Sequence, residues 1–352
     1  EEAALRLARI VESRAGAADA ERLLLAVREH NKGALRVRLI LAESYLRTGR
    51  LDEASTLMGE ALALAPTLAG VRLLDARIRD AGGDIRGAQR VLQELVRDHP
   101  GEARYRLYLS DAQLRLGDLS AARRTVEAVL ADDADNLQAQ MTLARLDVHE
   151  HKFGDALMRL ARIIELAPDD PKVHALRGDA LLAAGKPGEA VAAYDVAFAA
   201  APGAALVIAL ARAERASGAP DRASSRLHEW LEQHPNDTSV SLVVAATKQS
   251  DGSIADAALG YEEVLAKVPN NVVALNNLAW IYHDRGDLRA LAYAKRAYEI
   301  AATSLVVADT YGWLQVLHGS LEQGLKLLER TASAAPNAME IQYHLAYALV
   351  RV

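Results

Sequence analysis

The 352-residue sequence contains no cysteine. Disulfides, thiol catalysis and Cys-ligated zinc or iron–sulfur sites are therefore excluded. Aromatics are scarce, with two Phe and three Trp, so a core must be built from Leu, Ala, Val and Ile. No apolar run approaches the ~18 residues needed to span a membrane. Formal charge is −6 with both signs mixed along the chain, and the basic stripe of a nucleic-acid binder is missing. The opening EEAALRLARIVESR already has a helical pattern and lacks the shape of a signal peptide. The chain is expected to be part of a longer one, with any targeting signal removed.

What is abundant is self-similarity. ALRVRLILAESYLRTGRLDEASTLMGEALALAP (34–66) and DNLQAQMTLARLDVHEHKFGDALMRLARIIELAP (135–168) carry the same landmarks at the same offsets. Repeats begin near 1, 35, 69, 103, 137, 171, 204, 238, 272 and 305, with a half repeat from 339. A small residue recurs in each first helix: Ala8, Ala42, Ala76, Ser110, Ala144, Gly178, Ala211, Ala245, Ala279, Gly312 and Ala346. An alanine recurs in the second: Ala20, Ala54, Ala88, Ala122, Ala156, Ala190, Ala223 and Ala257. Small residues at these places let two helices cross closely. Pro66, Pro100, Pro168, Pro202, Pro235, Pro269 and Pro336 stop the second helices. Gly49, Gly83, Gly117, Gly185, Gly218, Gly252, Gly286 and Gly319 suit turns that need positive φ; His151 replaces the turn glycine of the fifth repeat.

This pattern resembles the tetratricopeptide repeat (TPR) family along the whole chain. The resemblance implies an all-α, right-handed superhelical solenoid of about ten helix–turn–helix repeats plus a half repeat. It also implies a concave groove and one array over 1–352 rather than several domains.

Catalytic and metal signatures are sparse. HEHKF (149–153) pairs two histidines around a turn, but i and i+2 side chains share no helix face. GDALLAAGKPGE (178–189) has a Gly-Lys pair without the spacing or the Ser/Thr of a phosphate loop. DDADN (132–136) and DDPK (169–172) lack the calcium-loop pattern and read as helix N-caps. No enzyme activity, cofactor or metal is expected, nor any nucleic-acid partner or transmembrane segment.

In the TPR family the residue after the small one in the first helix faces the groove, with its neighbours three and four residues away. Carried over, this lines the first half with Glu43, Arg77, Asp111, Arg145 and Asp179, a mixed and unspecialised face. The last third differs. There the position reads Trp280, Trp313 and Tyr347, surrounded by Asn276, Asn277, His283, Asp284, Asp309, Thr310, Tyr343 and His344. These eleven residues are the candidate partner- or glycan-binding groove. The three aromatics would form a ladder suited to an extended peptide or a sugar chain. The alternative is that they pack between first helices of adjacent repeats. Trp230, Tyr45 and Tyr282 are assigned to packing. The groove places that a chaperone-tail clamp fills with lysines hold mainly apolar residues, so that clamp is not expected.

VVALNNLAWIYHDRGDLRALAYAKRAYEIA and the stretch DTYGWLQVLHGSLEQGLKLLERTASAAPNAMEIQYHLAYAL resemble the C-terminal repeats of bacterial envelope TPR proteins linked to exopolysaccharide export. They resemble in particular the TPR-repeat lipoproteins of PEP-CTERM/exosortase systems. That resemblance implies a non-catalytic protein-interaction scaffold, periplasmic or outer-membrane-associated, with a lipidated cysteine upstream. The alternatives are a glycan-binding module that uses the C-terminal aromatics, a cytoplasmic adaptor of co-chaperone type, and a tether in a larger chain.

Overall fold

The computed structural model describes residues 2–3, 6–8, 11 and 16–351. Much of the helix expected from residue 1 lies outside the described residues, although Ala8 is buried as expected. The described residues are all-α in class. In most pairs a first member of 13 residues is followed by a second of 14, as in Leu35–Arg47 with Leu51–Leu64, and Thr238–Ser250 with Ile254–Lys267. The chain divides into two compact units, residues 1–185 and 186–352.

Within the first unit, each helix from Ala17–His30 to Pro171–Ala183 packs against the next. The landmarks do what their chemistry demands. Ala42, Ala54, Ala76, Ala88, Ser110, Ala122, Ala144 and Ala156 are buried where paired helices cross. Pro66, Pro100 and Pro168 each stand two residues beyond the end of a second helix. Asn136 and Asp170 accept hydrogen bonds from the Ala139 and Lys172 backbone amides, at 3.0 and 2.8 Å, so both acidic clusters are caps. His151 takes φ 61°, the sole positive-φ non-glycine among the described residues. It fills the glycine's place in the turn rather than a metal site.

The second unit repeats the scheme from Pro187–Ala200 to Met339–Val350. Ala211, Ala223, Ala245, Ala257, Ala279 and Ala290 are buried at the crossings. Ala346 is exposed: among the described residues Met339–Val350 packs on the helices of the preceding repeat, and no paired second helix covers its other side. Where one residue is missing after Gly286, the second helix Arg289–Ile300 shortens to 12 residues from the usual 14.

Gly319 departs from expectation. Its φ is −133°, where Leu305–His318 runs one residue longer than the first helices of the three preceding repeats. A Cβ there would lie 2.1 Å from Gln315 Oε1, the atom that accepts from the Ser320 amide. The glycine makes room for a side-chain cap. Gly312 and Gly324 bring two backbones together more tightly than alanine allows. A Cβ on Gly324 would stand 2.7 Å from the Gly312 carbonyl oxygen.

Candidate partner-binding face

The first unit shows what an unspecialised face looks like. Arg77 donates to Glu43 at 2.8 Å and Arg145 to Asp111 at 2.9 Å, each pair joining equivalent places one repeat apart. These four residues line clefts of about 620 and 480 Å³, shared with Leu39, Ile40 and Arg47, and with Leu107 and Tyr108. Opposite charges answer one another there, and exposed pairs of this kind contribute little stability.

In the second unit the sequence points to helices Val272–Asp284, Leu305–His318 and Met339–Val350, and the structure brings their polar and aromatic residues into one cluster. Trp313 is only 8% exposed. His344 stacks on it with ring centres 4.3 Å apart and planes 20° apart, and also stacks beside Trp280 at 5.8 Å. Tyr347 meets Trp313 edge-on at 4.9 Å. Asp309 Oδ2 accepts a hydrogen bond from His344 Nδ1 at 2.9 Å. Trp280 donates its indole N–H to the Thr310 hydroxyl at 3.0 Å, and that hydroxyl donates to the Val306 carbonyl.

The expected open ladder is therefore corrected. Asn276, Asp309, Thr310, Trp313 and His344 are buried. Large side chains at one register in three successive helices fill the space between those helices, so they stack on each other rather than standing free. Asn277 is also reassigned. One residue along the helix from Asn276, it turns toward the preceding repeat and donates to the Tyr261 hydroxyl at 2.8 Å. Tyr261 in turn donates to Gln249 at 2.9 Å. What remains at the surface is Tyr343, 62% exposed, together with Asp284 and the partly exposed Trp280, His283 and Tyr347.

Two buried acceptors, Asn276 Oδ1 and Asp309 Oδ1, lack hydrogen-bond partners among the described residues. They occupy the same register in successive repeats. Each carries a desolvation cost of roughly 1–3 kcal/mol, tolerated only within this cluster of the unit.

The packing assignments hold. Tyr45 and Tyr282 are buried, and their hydroxyls reach Glu21 and Glu262 on the preceding second helices. Burial, reinforced by the Glu262 carboxylate, pushes the Tyr282 phenol up, so it stays protonated. Arg50 and Arg289 lie over the two rings at 4.0 and 4.1 Å. Trp230 packs on His234 and Phe198 and donates to Asp237 at 2.8 Å.

His318 escaped the sequence reading. It closes Leu305–His318, and its Nε2 lies 3.0 Å from His283 Nδ1. The available signal was that both histidines fall in the last turn of successive first helices. Burial, then the neighbouring His318, pull the His283 imidazole below its ordinary value, and Asp284 opposes them. No described helix is long and apolar enough to cross a membrane.

Helix pairs closed by a small-residue crossing, stopped by proline and repeated at this period define a tetratricopeptide-repeat protein, and the chain belongs to that family. Family models agree: a tetratricopeptide repeat-like domain matches residues 72–211, and tetratricopeptide repeats match 181–246 and 261–290. The chain is similar to TPR repeat-containing protein PA4667 of Pseudomonas aeruginosa, 27% identical over 173 residues. That match takes in 47% of this chain and 29% of the relative, so it spans less than a third of the other protein. Among solved structures, yeast Tom70 superposes with a TM-score of 0.62 at 12% identity, over 99% of this chain and 95% of that one. TTC0263, a thermophilic TPR protein of Thermus thermophilus, gives a TM-score of 0.47 at 21% identity, over 51% of this chain and 98% of that one.

Proposed function

We propose that the chain is a non-catalytic scaffold that holds protein partners, acting in a bacterial cell-envelope assembly for exopolysaccharide export. TPR proteins generally mediate protein–protein interaction, which supports the scaffold reading. The observation that carries it here is the stacking of His344 on Trp313 at 4.3 Å. A sugar ring needs an open aromatic face, and this one is taken. The stacked cluster instead forms a rigid base beneath Tyr343 and Tyr347, and a preorganised base lowers the entropy lost when a partner docks. Exposed tyrosine beside polar groups is typical contact chemistry for a protein surface.

The envelope setting is supported by the resemblance of the last eighty or so residues to exopolysaccharide-export TPR proteins. The match to a Pseudomonas protein is consistent with a bacterial origin. A periplasmic or outer-membrane-associated location, with the chain tethered by an upstream lipid anchor, follows from that resemblance. The test replaces Tyr343 and Tyr347 by alanine in the native gene. Loss of co-purifying envelope proteins and of exported polymer, with normal protein abundance, supports the proposal. Unchanged partners and export, or a protein confined to the cytoplasm, would overturn it.

A further inference from the structure

We propose that His283 and His318 form a two-imidazole site for a divalent transition-metal ion that prefers right-angled ligands, copper(II) or nickel(II). The site clips together helices Val272–Asp284 and Leu305–His318. His283 Nδ1 and His318 Nε2 are 3.0 Å apart, with ring centres at 5.2 Å and planes at 61°. His318 is exposed and His283 partly exposed, so an ion can reach them.

The separation suits one ligand angle better than another. Metal–nitrogen bonds of about 2.0–2.1 Å put two ligand nitrogens about 2.9 Å apart at a right angle and about 3.3 Å apart in a tetrahedron. The observed separation fits the first arrangement, the cis edge of a square or octahedron, which nickel(II) and copper(II) adopt. Bonds of that length place the ion roughly 45° off the line joining the two nitrogens, so each ring turns by about that angle to aim its lone pair at the ion, which takes the place of the shared proton. Among the described residues no three His, Asp or Glu side chains converge on one point, so water fills the remaining positions. Asp284, whose charge acts on His283, favours a cation there.

Trp280 supplies the readout, its ring lying 6.0 Å from that of His283. Trp230, which packs on His234 at 4.0 Å, is removed as a source of signal by Trp230→Phe. In that background, nickel chloride and copper sulfate are titrated at pH 7.5 while tryptophan fluorescence is followed, with zinc chloride for comparison. Saturable quenching by one equivalent of nickel is expected, together with a metal-dependent rise in melting temperature. His318→Ala, a change at an exposed position, should weaken binding by more than about tenfold, since losing even an outer-shell partner costs that much. His283→Asn should do the same. Equal quenching in wild type and His318→Ala, or a preference for zinc over nickel, would overturn the proposal. A response of wild type only at millimolar metal would overturn it too.

Discussion

His344 lies between two tryptophans, stacked 4.3 Å from Trp313, and its Nδ1 hydrogen-bonds to Asp309 Oδ2 at 2.9 Å. The Asp309 carboxyl is buried, and this histidine is the hydrogen-bond partner of its Oδ2. His344→Leu keeps the volume but leaves that buried oxygen unsatisfied. It should cost about 1–3 kcal/mol, the usual penalty for a buried polar group left without its partner. Asp309→Leu combined with His344→Leu removes both groups and should recover much of the loss. Urea unfolding of the three proteins measures this.

Trp313 and Tyr343 touch, yet their substitutions should differ sharply. Trp313→Ala empties a buried site and should destabilise by about 3–5 kcal/mol. Tyr343→Ala alters an exposed side chain and should stay within about 0.5 kcal/mol. Equal effects would show that the aromatic cluster is not packed as described.

Glycine-to-alanine changes should have opposite signs at two helical positions. Gly59 in Leu51–Leu64 has open space around a new Cβ, so Gly59→Ala should stabilise by up to about 1 kcal/mol. Gly324→Ala drives a methyl into the Gly312 carbonyl and the Val316 amide. It should destabilise by about 1–3 kcal/mol despite the better helix propensity. Thermal melts of both variants are sufficient.

The folded state holds the His283 pKa below its unfolded value. Below about pH 6.5, the ordinary value for histidine, the unfolded chain therefore binds more protons at this site than the folded one. Stability from the neutral imidazole is present above that pH and is lost as pH falls through it toward the folded pKa. His283→Gln should flatten the decline in unfolding free energy between pH 7.5 and 5.5 relative to wild type. An identical slope would contradict the account.

The helix pairs were legible in the sequence because each landmark has a local cause. A proline just past a helix's last turn bars its extension, and an alanine permits a close crossing whatever surrounds it. Ala279 and Tyr282, read as a crossing residue and a packing aromatic, are both buried, whereas Asn277, read as facing the groove, turns to Tyr261. What failed was the inference from face to exposure. Whether Trp313 meets solvent or His344 depends on side chains 31 residues apart in the sequence, and no single-helix pattern contains that. Gly319 misled for a similar reason, its role set by the Gln315 side chain rather than by a turn type. The His283–His318 contact joins different positions in their two helices, so the repeat register did not align them.

The most direct measurement is acrylamide quenching of Trp313 in a chain carrying Trp230→Phe and Trp280→Phe, with and without exopolysaccharide fragments. A buried Trp313 stacked by His344 should show blue-shifted emission, weak quenching and no saturable response to the sugar. Red-shifted, readily quenched emission that shifts saturably with polysaccharide would contradict it, and would establish an open glycan-binding face.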